Sequence, residues 1–306
     1  MKNINIGKGE INNASQISLG CMRINGITIE EASTLINTAL DEGINFFDHA
    51  DIYGGGECEE VFARAINMNP SVREKLIIQS KCGIRKGYYD FSKEHILSSV
   101  DKSLKRLKTD YLDILLLHRP DTLMEPEEVA EAFDILYDSG KVKSFGVSNQ
   151  NPMQMELMNK YLNHKIIINQ LQFSIAHTGI IDSGINVNMK NNSSINRDGS
   201  VLEYCRLKGI TIQPWSPFQY GFFEGVFLDN DKFPELNKKI NEIAESRGVT
   251  NTTIAIAWIL RHPAKMQPIV GTTNPKRLKE ICKASEIELT RQEWYSIYRA
   301  AGNVLP

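Results

Sequence analysis

Short apolar runs alternate with longer amphipathic stretches along most of the chain. The runs have the length and residue types of buried strands, and the stretches repeat apolar residues with the helical period. Eight strands are predicted, at residues 17–21, 45–48, 76–81, 111–118, 144–148, 166–170, 210–214 and 267–270. Helices are predicted at residues 29–41, 57–68, 92–107, 126–139, 152–162, 201–208, 234–247, 252–261, 275–284 and 291–301.

The order of these elements predicts a (β/α)8 barrel (a TIM barrel). Eight strand–helix units suit a closed parallel barrel better than a doubly wound sheet. The almost unbroken apolar run at 111–118 is typical of a strand buried on both faces. The glycines after the second strand lack the third glycine of a dinucleotide-binding fingerprint, because Glu59 stands there. We therefore expect one domain over residues 1–306, with an N-terminal β-hairpin, long loops at one end of the barrel and an extra C-terminal helix.

Composition and charge exclude function classes only weakly. The 35 Lys and Arg residues against 37 Asp and Glu give a net charge of −2, which offers no electrostatic argument for binding nucleic acid or an anionic membrane. The first ten residues lack the apolar segment of a signal peptide, and the longest uncharged apolar-rich run, 252–260, is too short to span a bilayer. The five scattered cysteines favour free thiols in a reducing cytoplasm. No metal-ligand spacing occurs, and we expect no metal site.

Four residues with complementary chemistry lie at or just after the ends of predicted strands. Asp48, Lys81 and His118 stand at strand ends, and Tyr53 follows five residues after the second strand. Barrel active sites lie at the carboxyl ends of the strands, so we expect the four side chains to converge. A lysine ammonium beside the phenol oxygen would lower the tyrosine pKa from about 10. The set predicts an acid that can protonate an alkoxide as it forms.

The residues at seven strand ends resemble those of one enzyme family. The matching segments are 19–22 (Leu-Gly-Cys-Met), 47–54 (Phe-Asp-His-Ala-Asp-Ile-Tyr-Gly), 80–82 (Ser-Lys-Cys), 116–119 (Leu-Leu-His-Arg), 146–149 (Gly-Val-Ser-Asn), 215–217 (Trp-Ser-Pro) and 269–275 (Ile-Val-Gly-Thr-Thr-Asn-Pro). Each segment is weakly diagnostic alone, but seven in order are specific. On these residues the chain resembles the aldo-keto reductase superfamily, and in particular the bacterial YdhF-like oxidoreductases, over essentially its whole length.

The resemblance implies an oxidoreductase that reduces aldehydes or ketones to alcohols with NADP(H). It implies that Tyr53 is the general acid and that Lys81 and Asp48 tune it. His118 would orient the carbonyl group of a small-molecule substrate. The cofactor would carry the hydride, and the barrel would supply orientation and electrostatics.

The resemblance also implies where the cofactor binds. Trp215 would stack on the nicotinamide, and Ser148, Asn149 and Gln170 would bind its carboxamide. The free N–H groups of the helix that begins at 274 would point at the adenosine 2′-phosphate, and Arg277 would supply positive charge there. The full set of implied cofactor contacts is Cys21, Met22, Arg23, Asp48, Ser148, Asn149, Gln170, Trp215, Ser216, Pro217, Phe218, Gly271, Thr272, Thr273, Asn274 and Arg277.

One position departs from the family pattern, and two other function classes stay open. Gly271 stands where many relatives carry a lysine that contacts the 2′-phosphate, so NADP(H) is expected with NAD(H) as the alternative. A regulatory or sensor subunit that binds the nucleotide with little turnover is a second reading, although it would have no use for a tuned acid. A phosphosugar lyase or isomerase is a third, but Trp-Ser-Pro at 215–217 replaces the glycine-rich phosphate loop it would need.

The remaining expectations concern loops, partners and isolated residues. The loops 176–200 and 217–231 and the tail 303–306 would shape the substrate pocket, with the polar 176–200 stretch as a mobile lid. We expect a monomer or weak homo-oligomer that binds neither nucleic acid nor membrane. His49 is interpreted as packing, and Cys82 as a buried free thiol facing away from Lys81. Three further histidines are interpreted as surface or capping residues, namely His95, His164 and His262.

Overall fold

Eight parallel strands form the centre of the structure, a computed structural model that describes residues 1–305. The strands of the chain are β1 (Asn3–Ile6), β2 (Ile11–Ser15), β3 (Ser18–Gly20), β4 (Phe46–Asp48), β5 (Ile77–Cys82), β6 (Ile84–Arg85), β7 (Tyr88–Tyr89), β8 (Leu112–Leu117), β9 (Val142–Ser148), β10 (Ile166–Gln172), β11 (Thr211–Trp215), β12 (Gln219–Tyr220), β13 (Gly225–Val226) and β14 (Ile269–Val270). The barrel order is β11-β10-β9-β8-β5-β4-β3-β14. A backbone hydrogen bond of 3.1 Å from Gln267 N to Ile212 O joins β11 to the segment before β14. The predicted (β/α)8 barrel is confirmed.

Helices follow the barrel strands, and several begin at side-chain caps. They are α1 (Ile29–Asp41), α2 (Glu57–Ala65), α3 (Pro70–Arg73), α4 (Lys93–Leu107), α5 (Pro126–Asp138), α6 (Pro152–Asn159), α7 (Gly179–Ile185), α8 (Val201–Lys208), α9 (Pro234–Arg247), α10 (Asn251–Leu260), α11 (Pro275–Cys282) and α12 (Arg291–Ala300). Thr28, Asn151 and Thr290 each form a capping box, at the starts of α1, α6 and α12. A capping box satisfies two backbone N–H groups and so fixes where a helix begins. No helix within residues 1–305 has the length and apolar character needed to cross a membrane.

The predicted N-terminal hairpin closes the amino-terminal end of the barrel. β1 and β2 pair antiparallel. Ile6 and Ala14 of this hairpin are buried in one cluster with the barrel residues Phe46, Ile114 and Leu116. Burial of these side chains removes apolar surface from water and fills this end of the barrel. The barrel interior is therefore open only at the opposite end, where the strands finish.

Several element boundaries differ from the predicted ones. β9 begins at Val142 and β10 runs to Gln172, because pairing with β8 and β11 extends the ladders beyond the apolar runs. β14 has only two residues, and α2 ends at Ala65, before the predicted end at 68. The differences lie at element ends, where pairing with neighbours rather than local sequence decides the boundary.

The polar stretch 176–200 is more regular than the expected mobile lid. It contains α7, whose Ile181 is buried in the main core. Tyr298 of α12 donates a hydrogen bond of 2.8 Å from its hydroxyl to Asp182 Oδ1, and Thr178 Oγ1 lies 3.4 Å from Asn303 Oδ1. The stretch is thus tied to the C-terminal helix. Pro306, part of the tail expected to line the pocket, lies outside the described residues.

Candidate active site

A cavity of about 760 Å³ opens at the carboxyl ends of the barrel strands. This volume lies within the range of small-molecule and cofactor sites, which is roughly 300–1,000 Å³. Its walls include Asp48 at the end of β4, His118 directly after β8, and Ser148 at the end of β9. Tyr53 lines it from the loop after β4. Three of the four residues singled out by sequence, Asp48, Tyr53 and His118, therefore share one cavity.

Lys81 is fully buried and binds three groups around the base of this cavity. Its ammonium donates to both carboxylate oxygens of Asp48, at 2.7 and 2.8 Å, and to the carbonyl oxygen of His49 at 2.8 Å. It also donates to the hydroxyl of Tyr53 at 3.2 Å. Side chains on a strand alternate between faces, so Lys81 points into the barrel while Cys82 packs in the outer core. Three of the four catalytic candidates thus form one hydrogen-bonded unit.

Electrostatics keep the proton on Tyr53 and the charge on Lys81. Burial raises the pKa of Tyr53, and Asp48 raises it further, while the Lys81 ammonium and its hydrogen bond lower it; the balance is an increase from 10. Burial disfavours the charge on Lys81, but the Asp48 carboxylate and the Tyr53 oxygen together more than offset this, so the pKa of Lys81 is raised. The lowered tyrosine pKa predicted from the sequence is wrong, because burial of the phenol outweighs the effect of the lysine charge. At neutral pH the phenol is a proton donor.

His118 is held neutral beside Tyr53. Burial, followed by the positive charges of Lys81 and Arg119, lowers its pKa well below the usual value. Its ring meets the Tyr53 ring edge-on, with centroids 6.0 Å apart, and Nδ1 is buried without a hydrogen-bond partner. A neutral imidazole has one N–H donor and one acceptor. It can therefore donate to an oxygen atom beside Tyr53 without bringing a charge.

The predicted carboxamide-binding residues form a preorganised group. Ser148 Oγ donates to the Gln170 carbonyl oxygen at 3.0 Å, and Asn149 Nδ2 donates to Ser148 Oγ at 2.7 Å. Trp215 Nε1 donates to Asn149 Oδ1 at 3.2 Å. Asn149 has a φ of +58°, in the left-handed region that asparagine tolerates better than most residues. The contacts fix these polar groups before any ligand arrives.

The far end of the cavity lies at the start of α11. Asn274 Oδ1 accepts hydrogen bonds from Lys276 N at 2.9 Å and Arg277 N at 3.3 Å. The predicted free N–H groups at this helix start are therefore partly satisfied by their own cap. The exposed Arg277 side chain and the hydroxyls of Thr272 and Thr273 lie here as well. Cationic and hydroxyl groups, more than free amides, are the groups that could hold an anion at this end.

The sequence model of the Aldo/keto reductase family matches residues 16–301. The chain belongs to the aldo/keto reductase family. It is 35% identical to "Oxidoreductase YdhF" of Escherichia coli (strain K12), over 88% of this chain and 86% of that protein. It is 34% identical to a "6-dehydroglucose reductase" of Agrobacterium fabrum, over 87% and 86% of the two chains. The predicted family and its YdhF-like branch are confirmed.

A solved structure supports the same assignment. The thermostable aldo-keto reductase Tm1743, crystallised in complex with the inhibitor epalrestat, superposes with a TM-score of 0.78. The two sequences are 27% identical, and the superposition covers 98% of this chain and 100% of the other. The family fold and the barrel described above therefore agree over nearly the whole length.

Nearly all the predicted cofactor contacts of this family member lie around the cavity. Met22, Arg23 and the segments 215–218 and 271–274 all line it, together with the residues already placed. Cys21 does not: it is fully buried, and its thiol donates to the Leu19 carbonyl oxygen at 3.8 Å. Lys81 reaches the cavity only through Tyr53 and Asp48. Within residues 1–305 no group of three or more potential metal ligands forms a site.

His49 and Cys82 are buried as interpreted, whereas His95, His164 and His262 are half-buried rather than at the surface. His49 is fully buried and packs edge-on against Phe62, with ring centroids 4.6 Å apart. His164 Nε2 lies 3.0 Å from Asp134 Oδ1, and His262 Nδ1 accepts from Ala264 N at 3.2 Å. All five cysteines are buried free thiols. None of these histidines lines the cavity.

Four buried glutamines form a chain beneath Asp48 and Lys81, and of these only Gln170 was predicted to belong to the site. Gln79 and Gln170 donate to Asp48 Oδ1 at 2.6 and 3.1 Å, and both also donate to Gln213 Oε1, at 2.9 and 3.1 Å. Gln213 donates to Gln267 Oε1 at 2.8 Å. Gln79 precedes Lys81 by two residues, and Gln213 precedes Trp215 by two. That spacing puts each pair on one face of a strand and was the available signal.

An aromatic flap over the cavity was also missed. The β12–β13 hairpin carries Phe222 and Phe223, which are 62% and 53% exposed, above Trp215. The Trp215 ring centroid lies 6.2 Å from each phenylalanine centroid. Arg119 extends from the end of β8 toward this flap. The residues lie within the predicted pocket loop 217–231, but their contact with Trp215 could not be read from spacing.

Proposed function

We propose that this chain is an NADP(H)-dependent reductase of aldehydes or ketones in which Tyr53 is the general acid. The observation that carries the proposal is the Tyr53 hydroxyl, protonated at neutral pH, 3.2 Å from the buried Lys81 ammonium at the base of the cavity. A proton donor in this position can transfer its proton to a carbonyl oxygen that gains negative charge. Alcohol oxidation would be the same path reversed.

The donor set fits a nicotinamide cofactor. An aromatic face (Trp215), two amides and a hydroxyl meet at one end of the cavity, and hydroxyl and cationic groups lie at the other. The first group suits a nicotinamide ring and its carboxamide, and the second suits phosphates. When bound there, the cofactor would supply the hydride. Glycine at 271 leaves open space around its Cα, which admits a close ligand.

Each residue of the catalytic unit has a separate task. Tyr53 donates its proton to the substrate oxygen, and Lys81 stabilises the phenolate that results. Asp48 neutralises Lys81 and holds it in place. Neutral His118 donates a hydrogen bond to the same substrate oxygen and orients it. Because the donors are fixed before reaction, little reorganisation is needed when charge develops.

Replacing Tyr53 tests the proposed acid. We expect Tyr53→Phe to reduce NADPH oxidation with 4-nitrobenzaldehyde by at least about a hundredfold, the lower end of a general acid's contribution. NADPH binding, followed by cofactor fluorescence, should persist because the cofactor contacts are intact. Tyr137→Phe, on the exposed face of α5, is the matched control. Full activity in Tyr53→Phe would contradict the mechanism.

The regulatory alternative makes a different prediction in the same assay. If the chain is a nucleotide-binding subunit, tight NADPH binding would accompany no turnover across a broad carbonyl panel. The relative named 6-dehydroglucose reductase supports the enzyme and suggests aldehydes as the first compounds to test. The five free thiols support a reducing compartment, so we propose a cytoplasmic enzyme.

We propose that Arg277 binds the 2′-phosphate of the cofactor. We expect Arg277→Ala to weaken NADPH binding about tenfold or more while changing NADH binding little, because only NADPH carries the phosphate. Fluorescence titration with each nucleotide measures both dissociation constants. An equal loss for both nucleotides would favour contact with a group they share. Equal affinity of the unaltered protein for both would favour NAD(H) as a cofactor.

A further inference from the structure

Arg119 lies at the substrate side of the cavity with its guanidinium against aromatic rings. It follows His118 at the end of β8 and lines the cavity beside Tyr53. Its Cζ lies 5.5 Å from the Trp215 ring centroid and 5.5 Å from the Phe222 ring centroid. Aromatic faces attract a guanidinium by cation–π interaction and leave its N–H edge free. The aromatic rings therefore position the Arg119 side chain, but they do not neutralise its charge.

Arg119 is also the exception among the arginines that are not exposed. Within residues 1–305, Arg73, Arg106 and Arg247 pair with carboxylates at 2.7 Å, and Arg261 donates to a carbonyl oxygen at 2.6 Å. No ion pair or hydrogen bond of the Arg119 side chain occurs among these residues, and burial lowers its pKa. A partly desolvated charge without a partner costs free energy. A ligand that supplied a partner for the guanidinium would recover this free energy.

The carboxylates of the cavity cannot neutralise Arg119. Asp48 is engaged by Lys81, and Asp229 accepts a hydrogen bond of 2.8 Å from Asn251, which starts α10. The cavity wall beside His118 thus carries a positive charge that neither carboxylate of the cavity neutralises. A single cation matches a single negative charge, and the planar guanidinium matches a carboxylate through two parallel hydrogen bonds.

We propose that Arg119 binds a carboxylate on the carbonyl substrate, so that the preferred substrates are aldehydes or ketones that carry an acid group. The inference rests on the proposed reductase function and names its substrate class. The carbonyl oxygen would lie at Tyr53 and His118, and the carboxylate at Arg119. Ile52, Ile84 and Tyr89 complete this side of the cavity and suit an apolar spacer between the two groups.

Two aldehydes that differ in the charge of one ring substituent test the proposal. 4-Carboxybenzaldehyde and methyl 4-formylbenzoate share the reacting carbon and the aromatic spacer, but only the first is an anion at neutral pH. Steady-state NADPH oxidation gives kcat/KM for each. We expect the acid to be favoured about tenfold or more, because charge-assisted hydrogen bonds to the guanidinium form with it alone.

Variants assign the preference to Arg119. Arg119→Met keeps an unbranched side chain against the aromatic rings and should bring the acid-to-ester ratio of kcat/KM close to one. Arg119→Lys keeps the charge without the planar fork and should give an intermediate ratio. Arg206→Met removes an exposed arginine of α8, outside the cavity lining, and should keep the ratio. Fluorescence titration with NADPH verifies that each variant is folded and binds cofactor.

The outcomes separate this inference from the proposed function. Equal kcat/KM for acid and ester in the unaltered enzyme would overturn the carboxylate subsite and leave the reductase intact. A preference that survived in Arg119→Met would also overturn it. Absence of turnover with both compounds would instead count against the reductase function on which the inference rests.

Discussion

The half-buried carboxyl group of Asp51, beside the proposed catalytic unit, shows how burial sets chemistry at the scale of one residue. Asp51 follows the strand-end residues on the loop that carries Tyr53, and its Oδ1 is buried without a hydrogen-bond partner. Burial, and then the nearby Glu59 carboxylate, raise the pKa of Asp51 from 3.8 to about 6, although Arg106 and hydrogen bonds oppose them. The ionised form is therefore tolerated at a cost in stability.

We expect Asp51→Asn to be more stable than the parent by about 1–2 kcal/mol above pH 6. This gain is less than the full cost of a two-unit pKa shift, which is about 1.4 kcal/mol per unit. Between pH 3.8 and 6 the folded protein holds a proton that the unfolded chain has lost, so the free energy of unfolding falls as pH rises through this window. The gain in the variant should disappear below about pH 4. Urea denaturation at pH 4, 5 and 8 measures it.

The control for this prediction is Asp110→Asn, which changes an exposed aspartate between α4 and β8. It should leave the urea midpoint nearly unchanged at each pH. If Asp51→Asn were no more stable than the parent at pH 8, the raised pKa of Asp51 would be contradicted.

At the scale of elements, the sequence predicted the order of the strands and helices better than their bounds. The alternation of apolar runs and helical periods was enough for the barrel, since each run is buried and each helix needs an apolar stripe. The bounds of β9 and β10 depended on pairing with neighbouring strands, which local sequence does not contain. The helix α7 was missed because its stretch is rich in polar residues, and its position depends on contacts with α12.

The features of the site also divide into those that could be predicted from sequence and those that could not. Residues directly at strand ends, such as Lys81 and His118, could be predicted because parallel strands bring their carboxyl ends together. The raised pKa of Tyr53 could not, because it depends on how deeply the phenol is buried. The aromatic contacts of Arg119 could not be predicted either, because Trp215 and Phe222 approach it from loops far away in sequence. Spacing along the sequence therefore identifies which side chains meet in the site, and packing decides which of them are charged.

At the scale of the whole molecule, the glutamine chain connects the closed end of the barrel to the catalytic unit. Gln267 donates to the Ser15 carbonyl oxygen of the hairpin at 2.6 Å, and the chain continues through Gln213 to Gln170 and Asp48. These side chains are at most 3% exposed. A buried polar network rigidifies a core when its members are satisfied, and each unpaired group is costly.

We expect Gln213→Leu to lower the free energy of unfolding by about 2–3 kcal/mol, because Gln267 loses its donor and two other amides lose an acceptor. Gln170 then keeps only Asp48 as an acceptor, so its amide is less fixed. If Gln170 binds the nicotinamide carboxamide as proposed, NADPH should bind severalfold more weakly. Urea denaturation and fluorescence titration measure the two effects.

Gln267→Leu separates the loss of stability from the loss of orientation. It also breaks the chain within the barrel, between Gln213 and Ser15, and should destabilise the fold by a similar amount. Gln170 keeps both of its acceptors in this variant, so NADPH affinity should stay close to that of the parent. An equal loss of NADPH affinity in both variants would mean that the chain acts through stability alone. A loss confined to Gln213→Leu would show that the barrel interior positions the cofactor site.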